Sequence, residues 1–133
     1  MDTGAITVTL PGRKHVDATV RGHVVRTDQP LDNGGEDSAP SPFEYFLASI
    51  ATCAGIFVAG FCQKRNIPTE GIQLELRPSY AENGVLSQVE LDIKVPADFP
   101  AQYRDALIRV ADGCSVKKAM AAQPTFTLRT ISA

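Results

Sequence analysis

The stretch of residues 45–62 constrains the fold of this chain more than any other feature, because none of its residues carries a charge. Ser41 precedes it as a typical helix N-cap, and Glu44, three residues later, completes a capping box. Pro68 and the two residues before it indicate where the helix stops. The sequence therefore predicts one long helix that lacks a polar face.

A helix that is apolar on every side must be covered on every side. The uncharged run lies at the lower length limit for a membrane span, and it is rich in small and hydroxyl-bearing residues. We therefore expect the central helix of a water-soluble core, with no membrane association. The first ten residues also lack the basic start and the long apolar segment of a secretory signal peptide.

Composition argues against several classes of function. A chain of 133 residues is long enough for one domain with a real core, predicted to span 1–133. A net charge of −2 gives no electrostatic basis for binding nucleic acid or an anionic membrane. Three cysteines without a signal peptide predict a reducing, cytoplasmic location. Neither His15 nor His23 has metal-ligand spacing to a cysteine, so we predict no metal and no cofactor.

Local patterns place the remaining elements. Strands are predicted at residues 5–10, 16–20, 23–27, 72–76, 85–95 and 125–131, with two further helices at 101–111 and 115–123. Asn83-Gly84 predicts a hairpin turn, and residues 28–40 predict a loop. The order βββ-α-ββ-α-α-β segregates strands from helices, which indicates an α+β fold with antiparallel sheets. One small sheet covers only one side of the long helix, so a second subunit is expected to cover the rest.

Two of the three cysteines lie on the long helix. Cys53 and Cys62 are nine residues apart, which puts them on roughly opposite sides and about 13 Å apart along the axis. A disulfide requires Cα atoms within about 7 Å, so these two cannot pair while the helix is intact. Cys62 is therefore interpreted as a small buried apolar residue.

Cys114 lies at the junction of the two later helices. The start of a helix favours a thiolate, and Lys117 and Lys118, one turn on, add positive potential. Cys114 is a possible partner for Cys53 on a neighbouring element. Taken by themselves, however, two buried cysteines in a cytosolic domain are more often packing residues.

The sequence resembles the OsmC/Ohr family, the osmotically inducible protein C and organic hydroperoxide resistance proteins. The likeness rests on GHVVRTDQPLDNGGEDSAPSPFEYFLASIATCAG, residues 22–55, and on a cysteine about sixty residues later that opens a short helix in GCSVKKAM. Such a likeness implies an intertwined α+β homodimer with long central helices. It also implies thiol-dependent reduction of organic hydroperoxides by an external dithiol, as a defence against oxidative stress.

The resemblance also implies roles for individual residues. Cys53 resembles the family's peroxidatic cysteine, Cys114 its resolving cysteine and Glu44 its active-site glutamate. An arginine from the N-terminal strands holds the thiolate in such proteins. Arg21 is the nearest match, and Arg26 or Arg13 is the alternative. The chain departs from the family pattern at Ser115, where a proline is common, and it is closer to the broad OsmC-like branch.

Those residue types suit peroxide chemistry, because a thiolate attacks the O–O bond. We expect the apolar helix to raise the pKa of Cys53 unless a cation opposes it, and a glutamate can orient an arginine for that purpose. A second thiol then condenses with the sulfenic acid before it oxidises further. Apolar walls would favour an organic hydroperoxide; the predicted wall residues are Phe46, Ile50, Phe57 and Phe61.

Simpler interpretations remain open from the residues alone. Glu44 is fully explained as the capping-box residue, and nine residues place it opposite Cys53 on a straight helix. Taken alone, Arg21 is more typical of a solvated strand position than of a functional one. The alternative function is a non-enzymatic dimeric binding module, in which Cys53 lines an apolar cavity for a small ligand.

Overall fold

The computed structural model describes residues 2–132, so Met1 and Ala133, the ends of the predicted domain, lie outside the described residues. The chain divides into two compact units, one extending to Leu47 and the other beginning at Ala48. The first unit contains a three-stranded sheet, and the second contains a β-hairpin and most of the helical residues. The single domain predicted for 1–133 stays a prediction.

Three antiparallel strands form the sheet of the first unit. They are β1 (Thr7–Gly12), β2 (His15–Val20) and β3 (His23–Thr27), with β2 in the middle. Arg21 and Gly22 connect β2 to β3 with φ angles of 48° and 83°, a conformation that two-residue hairpin turns require. The three predicted strands are confirmed, with ends displaced by no more than two residues.

The loop after β3 is organised around Asp28, which is only 1% exposed. Its carboxylate accepts hydrogen bonds from the Ser38 hydroxyl at 2.7 Å and from the backbone N–H groups of Gln29, Ser38 and Glu36 at 2.8, 3.1 and 3.2 Å. The Ser38 hydroxyl and these N–H groups hold the pKa of Asp28 well below its ordinary 3.8, against the opposing effect of burial. The sequence predicts the loop, but it does not predict that the Asp28 carboxylate holds the loop together.

The long helix α1 spans Pro42–Lys64. Its capping box is confirmed, because the Ser41 N–H donates to Glu44 Oε1 at 2.9 Å and the Glu44 N–H donates to Ser41 Oγ at 3.3 Å. The Tyr45 hydroxyl donates to the backbone carbonyl of Arg26 at 2.7 Å. The first turn of α1 is thus attached to β3 within the first unit.

The second unit combines a hairpin with the remaining helices. These elements are β4 (Gln73–Tyr80), β5 (Leu86–Lys94), α2 (Arg104–Ala111) and α3 (Ser115–Ala122), with a short 3₁₀ turn (Ala101–Tyr103) before α2. Gly84 has a φ of 83° in the turn between β4 and β5, which confirms the Asn83-Gly84 hairpin prediction. The two later helices are confirmed to within a few residues at their ends.

The core of the second unit lies between one face of α1, the hairpin and α2. Its buried members are Ala54, Val58, Phe61, Cys62, Phe99, Leu107 and Ala111. Alternate residues of the hairpin, including Leu74, Leu91 and Ile93, pack against this cluster, while the intervening polar residues face solvent. Burying a side chain such as Leu107 stabilises the fold by about 1.5–3 kcal/mol.

As expected, the single chain covers α1 on one side only. Only 28% of its most apolar window is buried, and the buried residues follow one helical face from Ile50 to Cys62. Ile56 is 70% exposed and Phe57 40% exposed on the uncovered side. One hairpin and two short helices cannot surround a helix of this length. By length and composition alone α1 could also cross a membrane, a test that core helices of soluble proteins pass as well.

The predicted final strand at residues 125–131 is also wrong for the single chain. Residues 124–132 have no regular secondary structure, and Phe126, Leu128 and Ile131 are more than 80% exposed. Alternating apolar residues would give a strand one apolar face, but a strand forms only when a neighbouring strand pairs with it through backbone hydrogen bonds. No described strand pairs with this segment.

Candidate active site

Cys53 lies in the middle of α1 and is partly buried against the beginning of α3. Its Sγ atom is 3.5 Å from Oγ of Ser115, the first residue of α3. The free N–H groups at a helix start carry partial positive charge, which favours a negatively charged group placed there. The two helices therefore bring the Cys53 sulfur to a position suited to an anion.

Four donors act on this sulfur. In order of effect they are the Ser115 hydroxyl, the Val116 N–H, the Cys114 side chain and the Ser115 N–H. Burial opposes them, yet together they lower the pKa of Cys53 from 9.0 to about 7. The lowered pKa increases the fraction of Cys53 that is thiolate at neutral pH.

This result corrects the expectation that an apolar helix raises the pKa of Cys53 unless an arginine opposes it. The sequence does predict that α3 begins at Cys114 and Ser115, but from the sequence that helix start was expected to act on Cys114 alone. Nothing in the local sequence shows that α3 begins beside Cys53, since the two segments lie 62 residues apart. The contributions of Ser115 and Val116 were therefore missed.

Cys114 is the N-cap residue of α3, as predicted, and is 2% exposed. Its Sγ atom lies 3.9 Å from the backbone carbonyl oxygen of Ile50, on the turn of α1 before Cys53. Lys117, expected to add positive potential near Cys114, instead forms an ion pair with Asp112. The structure thus brings the side chains of Cys53 and Cys114 together.

Cys62 lies apart from this pair, in the core of the second unit. It is 0% exposed, and burial raises the pKa of its thiol against a smaller opposing effect of Arg65. A thiol of this kind is unreactive as a nucleophile. The interpretation of Cys62 as a small buried apolar residue is confirmed.

An apolar pocket of about 280 Å³ adjoins the cysteine pair on the side of Cys114. Its lining consists of Ile50, Ala54, Val89, Leu91, Ile93, Ile108, Ala111, Asp112, Cys114, Lys117 and Met120. Ile50 is the one predicted wall residue among them. Phe57 and Phe61 line a separate cavity near the end of α1, and Phe46 packs against Phe43 in the first unit. The predicted aromatic walls are therefore wrong for this pocket, because aliphatic residues of α1, β5 and α2 supply most of its surface.

Glu44 and the candidate arginines belong to the first unit. Glu44 holds the capping box, and hydrogen bonds from the backbone and side chain of Ser41 lower its pKa. Arg21 is exposed in the β2–β3 turn, and Arg13 pairs with Glu36 at 3.3 Å. Their predicted roles in the reaction stay predictions.

A second polar cluster, formed by His15, Asp28 and Glu36, brings possible metal-ligand atoms within 4.8 Å of one another. His15 Nε2 lies 2.6 Å from Glu36 Oε1, whereas Nδ1 faces Asp28 at 3.7 Å. The two carboxylates thus engage opposite ring nitrogens, and Asp28 already accepts four hydrogen bonds. This arrangement is that of a hydrogen-bonded network fastening the loop to β2.

Known proteins share the sequence pattern and the architecture of this chain. Residues 35–129 match the family described as OsmC-like protein. A candidate osmotic stress induced and detoxification response protein of Psychrobacter arcticus has a similar structure, with a TM-score of 0.76, 24% identity, and coverage of 90% of this chain and 88% of that one. An OsmC-like protein from Mycoplasma pneumoniae has a TM-score of 0.68 at 15% identity, covering 92% and 91%.

An organic hydroperoxide resistance protein from Elizabethkingia anophelis is similar at a TM-score of 0.63 and 19% identity, covering 92% of this chain and 91% of that one. No curated protein matches the sequence. At these identities the solved structures show the shared α+β fold with antiparallel sheets, and the family match covers most of the chain. The chain belongs to the OsmC-like protein family.

Proposed function

We propose that this protein is a thiol-dependent peroxidase that reduces organic hydroperoxides, with Cys53 as the attacking residue and Cys114 as the resolving one. The observation that carries the proposal is the position of Cys53, on α1, beside the start of α3. There the donors of α3 and the Cys114 side chain lower the pKa of Cys53 to about 7. Proteins of similar fold are described as organic hydroperoxide resistance proteins, which supports the same class of substrate.

The reaction takes place in three steps. The Cys53 thiolate attacks the distal oxygen of the hydroperoxide, the O–O bond breaks, and the alkoxide takes up a proton to leave as an alcohol. Cys53 is then a sulfenic acid, and the Cys114 thiol displaces its hydroxyl as water to form a disulfide. An external dithiol reduces this disulfide to two thiols and is itself oxidised. A reducing compartment such as the cytoplasm would supply that dithiol.

The apolar pocket supports an organic substrate. Its lining is predominantly aliphatic, and Asp112 and Lys117 are its charged members. An alkyl or acyl chain gains free energy by leaving water for such a surface, whereas hydrogen peroxide has no apolar part to bury. We therefore propose alkyl or lipid hydroperoxides as the substrate class.

We also propose that the protein works as a homodimer. The uncovered side of α1 exposes Ile56 and Phe57, and the exposed C-terminal segment keeps the alternating pattern of a strand without a partner. A second copy would cover the first surface and could pair with the second. Sedimentation at micromolar concentration should give about twice the chain mass of 14.3 kDa; a stable folded monomer would contradict this.

Consumption of cumene hydroperoxide in the presence of a dithiol reductant tests the proposed activity. The wild type should reduce the hydroperoxide repeatedly, and the Cys53→Ser variant should not react. The Cys62→Ala variant is the matched cysteine control and should remain active, since Cys62 is buried away from the pair. Failure of the wild type to consume hydroperoxide would contradict the proposal.

The alternative is a binding module without catalysis, which the apolar pocket favours by its volume and lining. In that case a small apolar ligand would bind the wild type and the Cys53→Ser variant equally well. Titration with a fluorescent apolar probe, combined with the peroxidase assay, distinguishes the two functions. Binding without turnover would support the module.

A further inference from the structure

We infer that Ser115 is a positioning residue for the reaction, whose hydroxyl and backbone N–H hold the Cys53 sulfur as a reactive thiolate. This inference rests on the proposed role of Cys53 as the attacking residue. It assigns the activation of the thiol to a residue 62 positions away on another helix. It also adds a neutral donor group to the cation that the family resemblance implies.

The contact itself is direct. Ser115 Oγ lies 3.5 Å from Cys53 Sγ, within the range for a hydrogen bond to sulfur. Within residues 2–132 this hydroxyl has no other hydrogen-bond partner, and it does not cap its own helix. Ser115 is also exposed, so the hydroxyl is not explained by packing. Its contact with Cys53 is the interaction that the structure gives it.

The hydroxyl favours the charged form of Cys53 over the neutral one. Either atom can donate when Cys53 is a thiol, but thiols are weak partners in hydrogen bonds. When Cys53 is a thiolate, the hydroxyl donates to a full negative charge, and such charge-assisted bonds are about twice as strong. Removing the hydroxyl should therefore raise the pKa of Cys53.

The backbone of residue 115 contributes through the same geometry. The first N–H groups of a helix have no partner within the helix, and those of Ser115 and Val116 act on the Cys53 sulfur. The N–H of residue 115 exists only because this residue is not proline. Proline is well tolerated at the first helical position, and Cys114 already has the extended conformation, φ −54° and ψ 123°, that precedes proline. A proline here would remove both donors of Ser115 and leave the helix intact.

No charged side chain among the described residues accounts for the low pKa of Cys53. The causes are hydrogen-bond donors at the start of α3 and the Cys114 side chain, opposed by burial. Lys117, the nearest basic residue along α3, is paired with Asp112. This leaves Ser115 as the strongest single contribution.

The test is the pH dependence of Cys53 alkylation by iodoacetamide in the reduced full-length protein. Modification at each cysteine is followed by mass spectrometry from about pH 5 to about pH 10, a range that brackets ordinary thiol values. The wild-type rate should rise with a midpoint of about 7. The Ser115→Ala midpoint should lie about one unit higher, which slows alkylation at neutral pH roughly fivefold. The Ser115→Pro midpoint should lie higher still.

Two further variants serve as matched controls. Ser115→Thr keeps the hydroxyl and should restore the wild-type midpoint, which a purely structural role for the position would not predict. Thr52→Val removes a hydroxyl adjacent to Cys53 in sequence that donates to the Ala48 carbonyl at 2.8 Å, and should leave the midpoint unchanged. Protection of Cys62 from alkylation confirms that each variant is folded. If Ser115→Ala loses that protection, the Ser115→Pro variant decides the test.

An unchanged midpoint in the folded Ser115→Ala and Ser115→Pro variants would overturn the inference. Alkylation requires no peroxide, so its result is independent of the proposed peroxidase activity. A shifted midpoint in a protein that consumes no hydroperoxide would support the inference and contradict the proposed function. An active enzyme in which the Ser115 substitutions leave the alkylation midpoint of Cys53 unchanged would support the proposed function and contradict the inference.

Discussion

Cys53 Sγ lies 3.5 Å from Ser115 Oγ, on two helices whose residues are 62 positions apart in the chain. This contact places a mid-helix thiol at the N-terminal end of another helix, where donors converge on it. Cys114, the residue immediately before Ser115, lies beside the same sulfur. The candidate active site is thus formed by the packing of α3 against α1.

The two cysteines should respond differently to substitution. Cys53→Ser should abolish hydroperoxide reduction, whereas Cys114→Ser should react once and stop as a sulfenic acid that drifts to sulfinic acid under excess peroxide. Mass spectrometry of oxidised wild type should show a Cys53–Cys114 disulfide within one chain and a free Cys62. If both thiols of the oxidised protein can still be alkylated, the two-cysteine mechanism is excluded.

Arg21→Ala tests the arginine role that the family resemblance implies. It should slow the reaction with hydroperoxide about tenfold at neutral pH, by removing a positive charge that adds to the donors at the start of α3. It should not change which disulfide forms. Arg77→Ala is the matched control, because Arg77 pairs with Glu75 and Asp92 on the exposed face of the hairpin. Stopped-flow oxidation rates measure the effect. Without a change in rate for Arg21→Ala, Arg26 or Arg13 becomes the candidate.

Cys62→Ala should lower the free energy of unfolding by about 1 kcal/mol, the scale of a small truncation in the core. Turnover should remain nearly intact, since Cys62 is fully buried in the core and has no proposed role in the reaction. Urea denaturation and the peroxidase assay measure the two effects. Loss of turnover in Cys62→Ala, with Cys114→Ala still active, would show that the roles are assigned to the wrong cysteines.

The stability of the reduced protein should depend on pH through Cys53. Its pKa is about 7 in the folded state, against an ordinary value of 9.0. Between these values the unfolded chain binds the proton and the folded chain does not, so stability rises with pH. The contribution is complete above about pH 9 and is lost as the pH falls through about 7. Denaturation curves of wild type and Cys53→Ser should diverge in this window; parallel curves would contradict the lowered pKa.

Asp28→Asn should loosen the loop before α1, because an amide cannot accept all four hydrogen bonds that the carboxylate accepts. Hydrogen exchange should speed up at the amides of Gln29, Glu36 and Ser38. Since the pKa of Asp28 is lowered in the folded state, its contribution is present above about pH 4 and is lost at lower pH. Asp32→Asn, in the exposed turn of the same loop, should leave the exchange rates unchanged.

Much of the fold could be predicted from local sequence. The capping residues Ser41 and Glu44, the Asn83-Gly84 turn and the alternation in β5 are signals carried by residues a few positions apart, so their structures follow from short-range physical chemistry. The separation of Cys53 from Cys62 likewise follows from helix geometry alone. Cys62 could therefore be assigned to the core without a structure.

Tertiary structure decided what depends on distant segments. Only the packing of α3 on α1 shows that a helix start faces Cys53, because hydrogen bonds between residues 62 positions apart leave no local pattern. The walls of the pocket likewise come from segments far apart in the chain, mainly α1, β5 and α2, which no local pattern could reveal. The predicted strand at 125–131 does not form because a strand requires a hydrogen-bonding partner, and the sequence of this segment does not show whether the chain provides one. Sequence alone thus determined most of the secondary-structure elements and the candidate cysteines, while long-range contacts decided which donors activate Cys53.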